Sequence, residues 1–202
     1  MNQADEIPNI HEYLERLRRR LSPAASVARP APGEKRAAAV LVPLLNRGDG
    51  RIDVLYTRRS DRLTSHRGQV AFPGGRFDRR DSDLLDAALR ETHEEVGIAP
   101  ALVRVLGSFP GRRTNQTDIA VTPFVGVIEG SPTLTPDPHE VADIFTVPLA
   151  ALSDPRYRGK HRWKRDGVAS DFPAILYAGQ VIWGLTYSIT LTFLDLLEAA
   201  RH

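Results

Sequence analysis

Three glutamates in the segment RETHEEVGI, namely Glu91, Glu94 and Glu95, are spaced to share one face of a helix. At helical pitch they fall within an arc of roughly 100°, beside an apolar arc made by Leu85, Ala88, Leu89, Thr92 and Val96. Like charges three and four residues apart repel by about 0.2–0.5 kcal/mol per pair, so a compensating group is expected. A divalent cation, the neighbouring Arg90 or plain water would serve. The chain has no cysteine, so a metal here would be hard and oxygen-ligated, or held by the six histidines. Taken by itself the cluster reads as a solvated helix face, because glutamate is common and helix-forming.

Its surroundings point the other way. GQVAF reads as a short strand that ends on Pro73, Gly74 and Gly75, a turn whose backbone N–H groups can approach an anion. Asp78 and Asp81 follow, and Asp81 or Ser82 is expected to cap a helix over 82–96. Gly97 stops it. Strand, double-glycine turn, acidic helix and glycine stop form one continuous device.

The elements around it follow from hydrophobic pattern. RAAAVLVPLLN and RIDVLYTRR, separated by RGDG, predict a β-hairpin. ALVRVLGSF, DIAVTPFVGVI and DFPAILYAG read as strands, and VADIFTVPLAAL as a strand leading into a short helix. VIWGLTYSITLTFLDLLEAA reads as a C-terminal helix, with β-branched residues in its first half. Near the N-terminus, Ile10, Tyr13, Leu14, Leu17 and Leu21 recur at helical spacing and predict a helix over 7–21. SPAASVARPAPGEK then reads as a linker. The expected organisation is residues 1–35 as an amphipathic helix and linker, and residues 36–202 as one α/β domain, a mixed sheet between helices. The apolar stripe of the first helix is expected to pack on its own domain, with a homodimer contact as the alternative.

Composition narrows the partners. A chain of 202 residues with 27 Lys plus Arg against 25 Asp plus Glu carries a net charge of +2, too small for nucleic-acid binding by bulk electrostatics. Arginine is nonetheless concentrated in 16–20, 58–67 and 156–165, where an anionic ligand could be met. The longest apolar stretch, Ala37 to Leu45, is interrupted by Pro43 and is far shorter than the roughly 20 residues that span a bilayer. With a charged N-terminus and no apolar signal core, the expectation is a cytoplasmic protein with no membrane partner.

The segment GGRFDRRDSDLLDAALRETHEEVGI resembles the Nudix box, whose pattern is glycine, five residues, glutamate, seven residues, Arg-Glu, an apolar residue, any residue, Glu-Glu, any residue, glycine and an apolar residue. Gly75, Arg90, Glu91, Glu94, Glu95, Gly97 and Ile98 match. Asp81 stands in place of the first glutamate with one extra residue before Arg90, and Thr92 occupies the apolar position. Upstream, LYTRRSDRLTSHRGQVAFPGG is similar to the signature that precedes the box in Nudix coenzyme A pyrophosphatases, with Thr57, Arg59, Ser60, Leu63, His66, Gly68, Gln69 and FPGG in place. That subfamily tends to share the GGxxDxxD spacing, so Asp81 supports the narrower resemblance.

The resemblance implies a Nudix-type α/β/α sandwich and a metal-dependent hydrolase that cuts the diphosphate of coenzyme A to 3',5'-ADP and 4'-phosphopantetheine. It implies Mg²⁺ or Mn²⁺ on Glu91, Glu94 and Glu95, with Arg90 orienting carboxylates and Glu94 or Glu140 as general base. Arg59, Arg67, Gly74 and Gly75 are the candidates for contact with the nucleotide-type substrate, with Arg58, Arg112 and Arg113 as further cations. Histidines 66 and 93 are expected to be structural or exposed. Two other readings stay open: a Nudix hydrolase of another nucleoside diphosphate derivative such as ADP-ribose, and a catalytically silent nucleotide-binding Nudix domain.

Overall fold

Strand β1, Ala37–Asn46, alternates its apolar side chains to both sides, and both sides are buried. It turns back into β2, Ile52–Arg59, as the predicted hairpin, pairing antiparallel at Leu44 to Asn46. Beyond those residues the two strands part. The gap is filled by β3, Val70–Ala71, on β2, and by β4, Gly74–Arg76, on β1. The double-glycine segment thus runs along the middle of a sheet, and Leu41 N–H closes it by donating to Pro73 O at 2.9 Å.

The structure, a computed structural model, describes residues 9–27, 29–30, 37–48, 50–114, 118–165 and 168–201. Residues 7 and 8 of the predicted first helix, Asp49 of the hairpin turn, residues 28 and 31–35 of the linker and Arg36 at the start of the predicted domain lie outside these. After α1, Ile10–Arg20, and the strands above come α2, Leu84–Val96, then β5, Val103–Ser108, β6, Arg112–Arg113, β7, Ala120–Ile128, and β8, Val141–Pro148. The chain continues through α3, Leu149–Ser153, β9, Arg158–Arg165, β10, Val168–Tyr177, β11, Gln180–Trp183, and α4, Gly184–Arg201.

The main sheet runs in the order β3-β2-β1-β7-β5, with β8 on β2, β4 on β1 and β6 on β7. Its pairing of β1 with β7 is parallel and the others are antiparallel, so the sheet is mixed as expected. On one face, Ala37, Ala39, Leu41, Leu55 and Phe124 pack with Leu84, Ala88 and Val96 of α2. On the other, Val42, Leu44, Val54 and Tyr56 pack with Leu14 and Leu17 of α1, and with Ile189, Phe193 and Leu197 of α4. These two cores make the α/β/α sandwich. The stripe of α1 therefore packs on its own domain, with Leu17 fully buried.

Two expectations are corrected, and one stretch without a predicted element gains one. The helix cap is Asp83, whose carboxylate accepts Asp86 N–H at 2.8 Å, so α2 begins at Leu84 and Asp81 is released for another role. Val181, Ile182 and Trp183, read as the start of the C-terminal helix, instead pair with β10 as β11. The basic stretch 158–165 is a strand, β9, completing a second sheet in the order β11-β10-β9.

Candidate metal centre

The three glutamates of α2 do not share one environment. Glu95 sits in the middle of the buried stripe, 4% exposed, rather than at its edge. Glu91 is half-buried and Glu94 is exposed. The turn explains the placement of Glu95: Gly74 N–H donates to its Oε2 at 3.1 Å, satisfying a buried carboxylate oxygen from the sheet. Glycine is required there, since a side chain at 74 would meet the backbone of β1 with Val40 Cα at 2.6 Å. At Gly75, a side chain would meet the Glu91 carboxylate, with Oε2 at 2.6 Å.

The group that comes together is Glu91, Glu95 and Glu140, each offering a carboxylate oxygen, all within 4.8 Å of one another. Glu140 arrives on the turn before β8, and Ser60 N–H at the end of β2 fixes its carbonyl at 2.8 Å. Burial, reinforced by the charges of Glu91 and Glu140 and opposed by Gly74 N–H and Arg59, pushes the Glu95 carboxyl up to about 8. Burial also raises Glu91, against the pull of Arg90. Among the described residues, the cation paired with Glu95 is Arg59, whose Nη1 lies 3.9 Å from Oε1. Its buried Nε finds no hydrogen-bond partner among the described residues. Three converging carboxylates, one of them buried with a backbone N–H on one oxygen and a guanidinium 3.9 Å from the other, fit a hard divalent cation of the Mg²⁺ or Mn²⁺ kind by donor chemistry.

Glu94 stands outside that group. Its Oε2 accepts Arg90 Nη1 at 3.0 Å and its Oε1 accepts Arg80 Nη2 at 3.5 Å. Arg90 is the hub. Its Nε and Nη2 form a two-pronged pair with Asp81, at 2.7 and 3.0 Å, Nη1 also reaches Glu91 at 2.8 Å, and Nη2 reaches Arg76 O at 3.3 Å. Asp81 in turn accepts Asp78 N–H at 2.8 Å. Burial pushes Asp81 up, but the Arg90 and Asp78 hydrogen bonds outweigh it and hold the carboxyl below its usual range. Asp81, at an unusual spacing in the sequence, thus anchors the arginine that braces the carboxylates of α2.

The remaining candidates scatter. Arg67 lies on the exposed loop after β2, where its Nε donates to Leu63 O. His66 pairs with Gln69 Oε1 at 3.0 Å on the same loop, and His93 is exposed. Arg112 donates to Thr192 of α4 at 3.2 Å and Arg113 pairs with Asp118 at 2.9 Å, so both are engaged away from the carboxylates. Sequence reasoning assigned no role to Ser60 or Arg80. The serine was visible only as a conspicuous part of the 55–75 signature, and the arginine only as a cation between two aspartates.

Strand–turn–helix geometry and converging carboxylates define the class: the NUDIX domain family pattern matches residues 35–168, and the chain belongs to that family, the Nudix hydrolases. Among curated relatives, a Yersinia enterocolitica protein named as an uncharacterised Nudix hydrolase, NudL, is 42% identical over 168 residues, 79% of this chain and 83% of its own length. Its counterpart in Yersinia pestis is 41% identical over 155 residues, 76% of each chain. Among solved structures, a MutT/nudix family protein from Enterococcus faecalis shares the fold, with a TM-score of 0.53 and 18% identity over 97% of this chain and 76% of that one. Nudix hydrolases generally use divalent metals, and the acidic cluster is this chain's candidate for one. Among the described residues, no helix is long and apolar enough to cross a membrane.

Proposed function

We propose that this Nudix hydrolase cleaves the diphosphate linkage of coenzyme A or its derivatives. Water adds its oxygen to one phosphorus, the bridging P–O bond breaks, and 3',5'-ADP and 4'-phosphopantetheine leave as two phosphomonoesters. The observation that carries the reading is the position of the 55–75 signature. Its Arg59 faces Glu95, its Ser60 holds the Glu140 backbone and its Gly74 binds Glu95, so the segment resembling coenzyme A pyrophosphatases frames the carboxylates directly.

In this reading Glu91, Glu95 and Glu140 hold the cation, which when bound neutralises the diphosphate and polarises its reacting bonds. Gly74 orients Glu95, and Gly75 leaves room for the Glu91 carboxylate beside the turn. Arg90, locked by Asp81, keeps Glu91 and Glu94 in place and stays off the substrate. Glu140 or Glu94 accepts the proton from the attacking water; Glu140 is favoured because it lies within the converging group, while Glu94 is engaged by two arginines. Arg59 and Arg67 meet phosphate oxygens of the substrate.

The test is a product analysis with coenzyme A, an acyl ester and ADP-ribose as competing substrates in Mg²⁺ or Mn²⁺, with Glu95→Gln as control. Preferential release of 3',5'-ADP by the wild type and none by the variant is expected. Preferential cleavage of ADP-ribose would overturn the substrate assignment, and undiminished turnover by Glu95→Gln would overturn the site.

A further inference from the structure

The third carboxylate of the cluster is delivered by a segment of unusual composition, SPTLTPDPHE, in which Pro136 and Pro138 flank Asp137. Each proline lacks an N–H and biases the residue before it toward extended backbone. Thr135 and Asp137, each before a proline, supply the remaining donors. Both donate to the end of α2: Thr135 N–H reaches Val96 O at 3.0 Å and Asp137 N–H reaches Glu95 O at 3.1 Å. These are carbonyls that a helix leaves unsatisfied at its C-terminus. The fit is close, because a side chain at Gly97, where φ is +79°, would come within 3.2 Å of Thr135 N.

From this anchorage the chain folds back through Asp137. Its carbonyl accepts Glu140 N–H at 3.0 Å and Val141 N–H at 2.7 Å, and its Oδ1 accepts His139 N–H at 2.9 Å. Ser60 N–H then fixes Glu140 O from the other side. One residue therefore receives the strap from α2 and forms the turn that ends on Glu140. Glu95 enters the device twice, with its carboxylate in the cluster and its carbonyl holding the strap.

We propose that Asp137 is a positioning residue for the cation site, and that the Thr135–Glu140 strap ties Glu140 to α2 so that Glu91, Glu95 and Glu140 keep their separation as one body. The proposal rests on the reading of those three carboxylates as cation ligands. Loss of the Asp137 side chain loosens the turn and lets Glu140 drift, while asparagine keeps the Oδ1 acceptor and the turn.

The experiment is calorimetric titration of the full chain with MnCl₂ in the absence of substrate, with thermal melting in parallel. Asp137→Ala is expected to bind Mn²⁺ about tenfold more weakly, and Asp137→Asn to bind as the wild type does. Glu140→Gln separates the two layers of the argument. If it binds Mn²⁺ normally, the ligand reading of Glu140 fails and takes the proposal with it. If Glu140→Gln is weakened while Asp137→Ala is not, the ligand reading stands and the positioning role is overturned. Asp137→Asn as weak as Asp137→Ala would also overturn it, since charge and not the turn would then be the cause. Should Asp137→Ala fail to fold, the exposed pair Pro136→Gly with Pro138→Gly loosens the same strap: about tenfold weaker Mn²⁺ binding supports the proposal, and wild-type affinity overturns it.

Discussion

Asp81 and Arg90 make the firmest single contact near the site, a two-pronged ion pair with the carboxylate buried. Hydrogen bonds to charged groups contribute about 1.5–3 kcal/mol, so Asp81→Asn is expected to lower stability at neutral pH by about that amount. The sign of the pH dependence is set by the direction of the shift. The folded-state carboxyl lies below its ordinary value, so the contribution is complete above the unfolded value of about 3.9 and is lost as pH falls through the lower folded value. Urea denaturation of both proteins from about pH 7 down to about pH 3 is therefore expected to show curves that converge only at the acid end. A gap between them that stays constant over that range would mean that Asp81 acts by packing and not by charge.

At the scale of elements, the two adjacent glycines of the turn separate fold from chemistry. A side chain at Gly74 meets backbone of β1, at a φ of +144° that other residues rarely adopt. Gly74→Ala is thus expected to cost about 1–3 kcal/mol of stability, visible as a lower melting temperature. At Gly75 the nearest atoms a side chain would meet belong to the Glu91 carboxylate rather than to backbone. Gly75→Ala is expected to melt like the wild type while kcat/KM falls about a hundredfold, as a misplaced catalytic group does. The same contrast shows what could be read from sequence. Gly74, Gly75 and the helix were legible because they form a local, spaced pattern. The cap was not, because Asp81, Ser82 and Asp83 are all good capping residues, and a contact with Arg90 nine positions away takes Asp81 out of the competition. Nor did the helical arc reveal that Glu95 is central and Glu94 exposed, since the N–H that makes burial of Glu95 tolerable comes from another strand. β9 was hidden by its alternation of cations with His161 and Trp163, which reads as a basic surface until β10 pairs with it.

Across the whole molecule, α2 packs on one face of the sheet and the terminal helices cover the other, so the helix that carries Glu91 and Glu95 and the terminal helices belong to different cores. Composition sets residues 1–35 apart from the α/β domain, yet α1 packs against α4 and β5. Tyr13 reaches across to the Leu197 carbonyl at 3.4 Å, and Arg16 to that of Arg201 at 3.4 Å. Leu14 and Leu17 fill the same core as Val42, Tyr56 and Phe193. Helix α1 is thereby a structural part of the layer that backs β1, the strand on which the glycine turn is built. Leu17→Ala is expected to lower unfolding free energy by about 2–5 kcal/mol, measured by chemical denaturation. Activity per folded molecule is expected to remain near that of the wild type, because α2, which carries Glu91 and Glu95, packs on the other core. A variant with unchanged stability would mean that the stripe of α1 is not committed to its own domain and is available to a second copy of the chain.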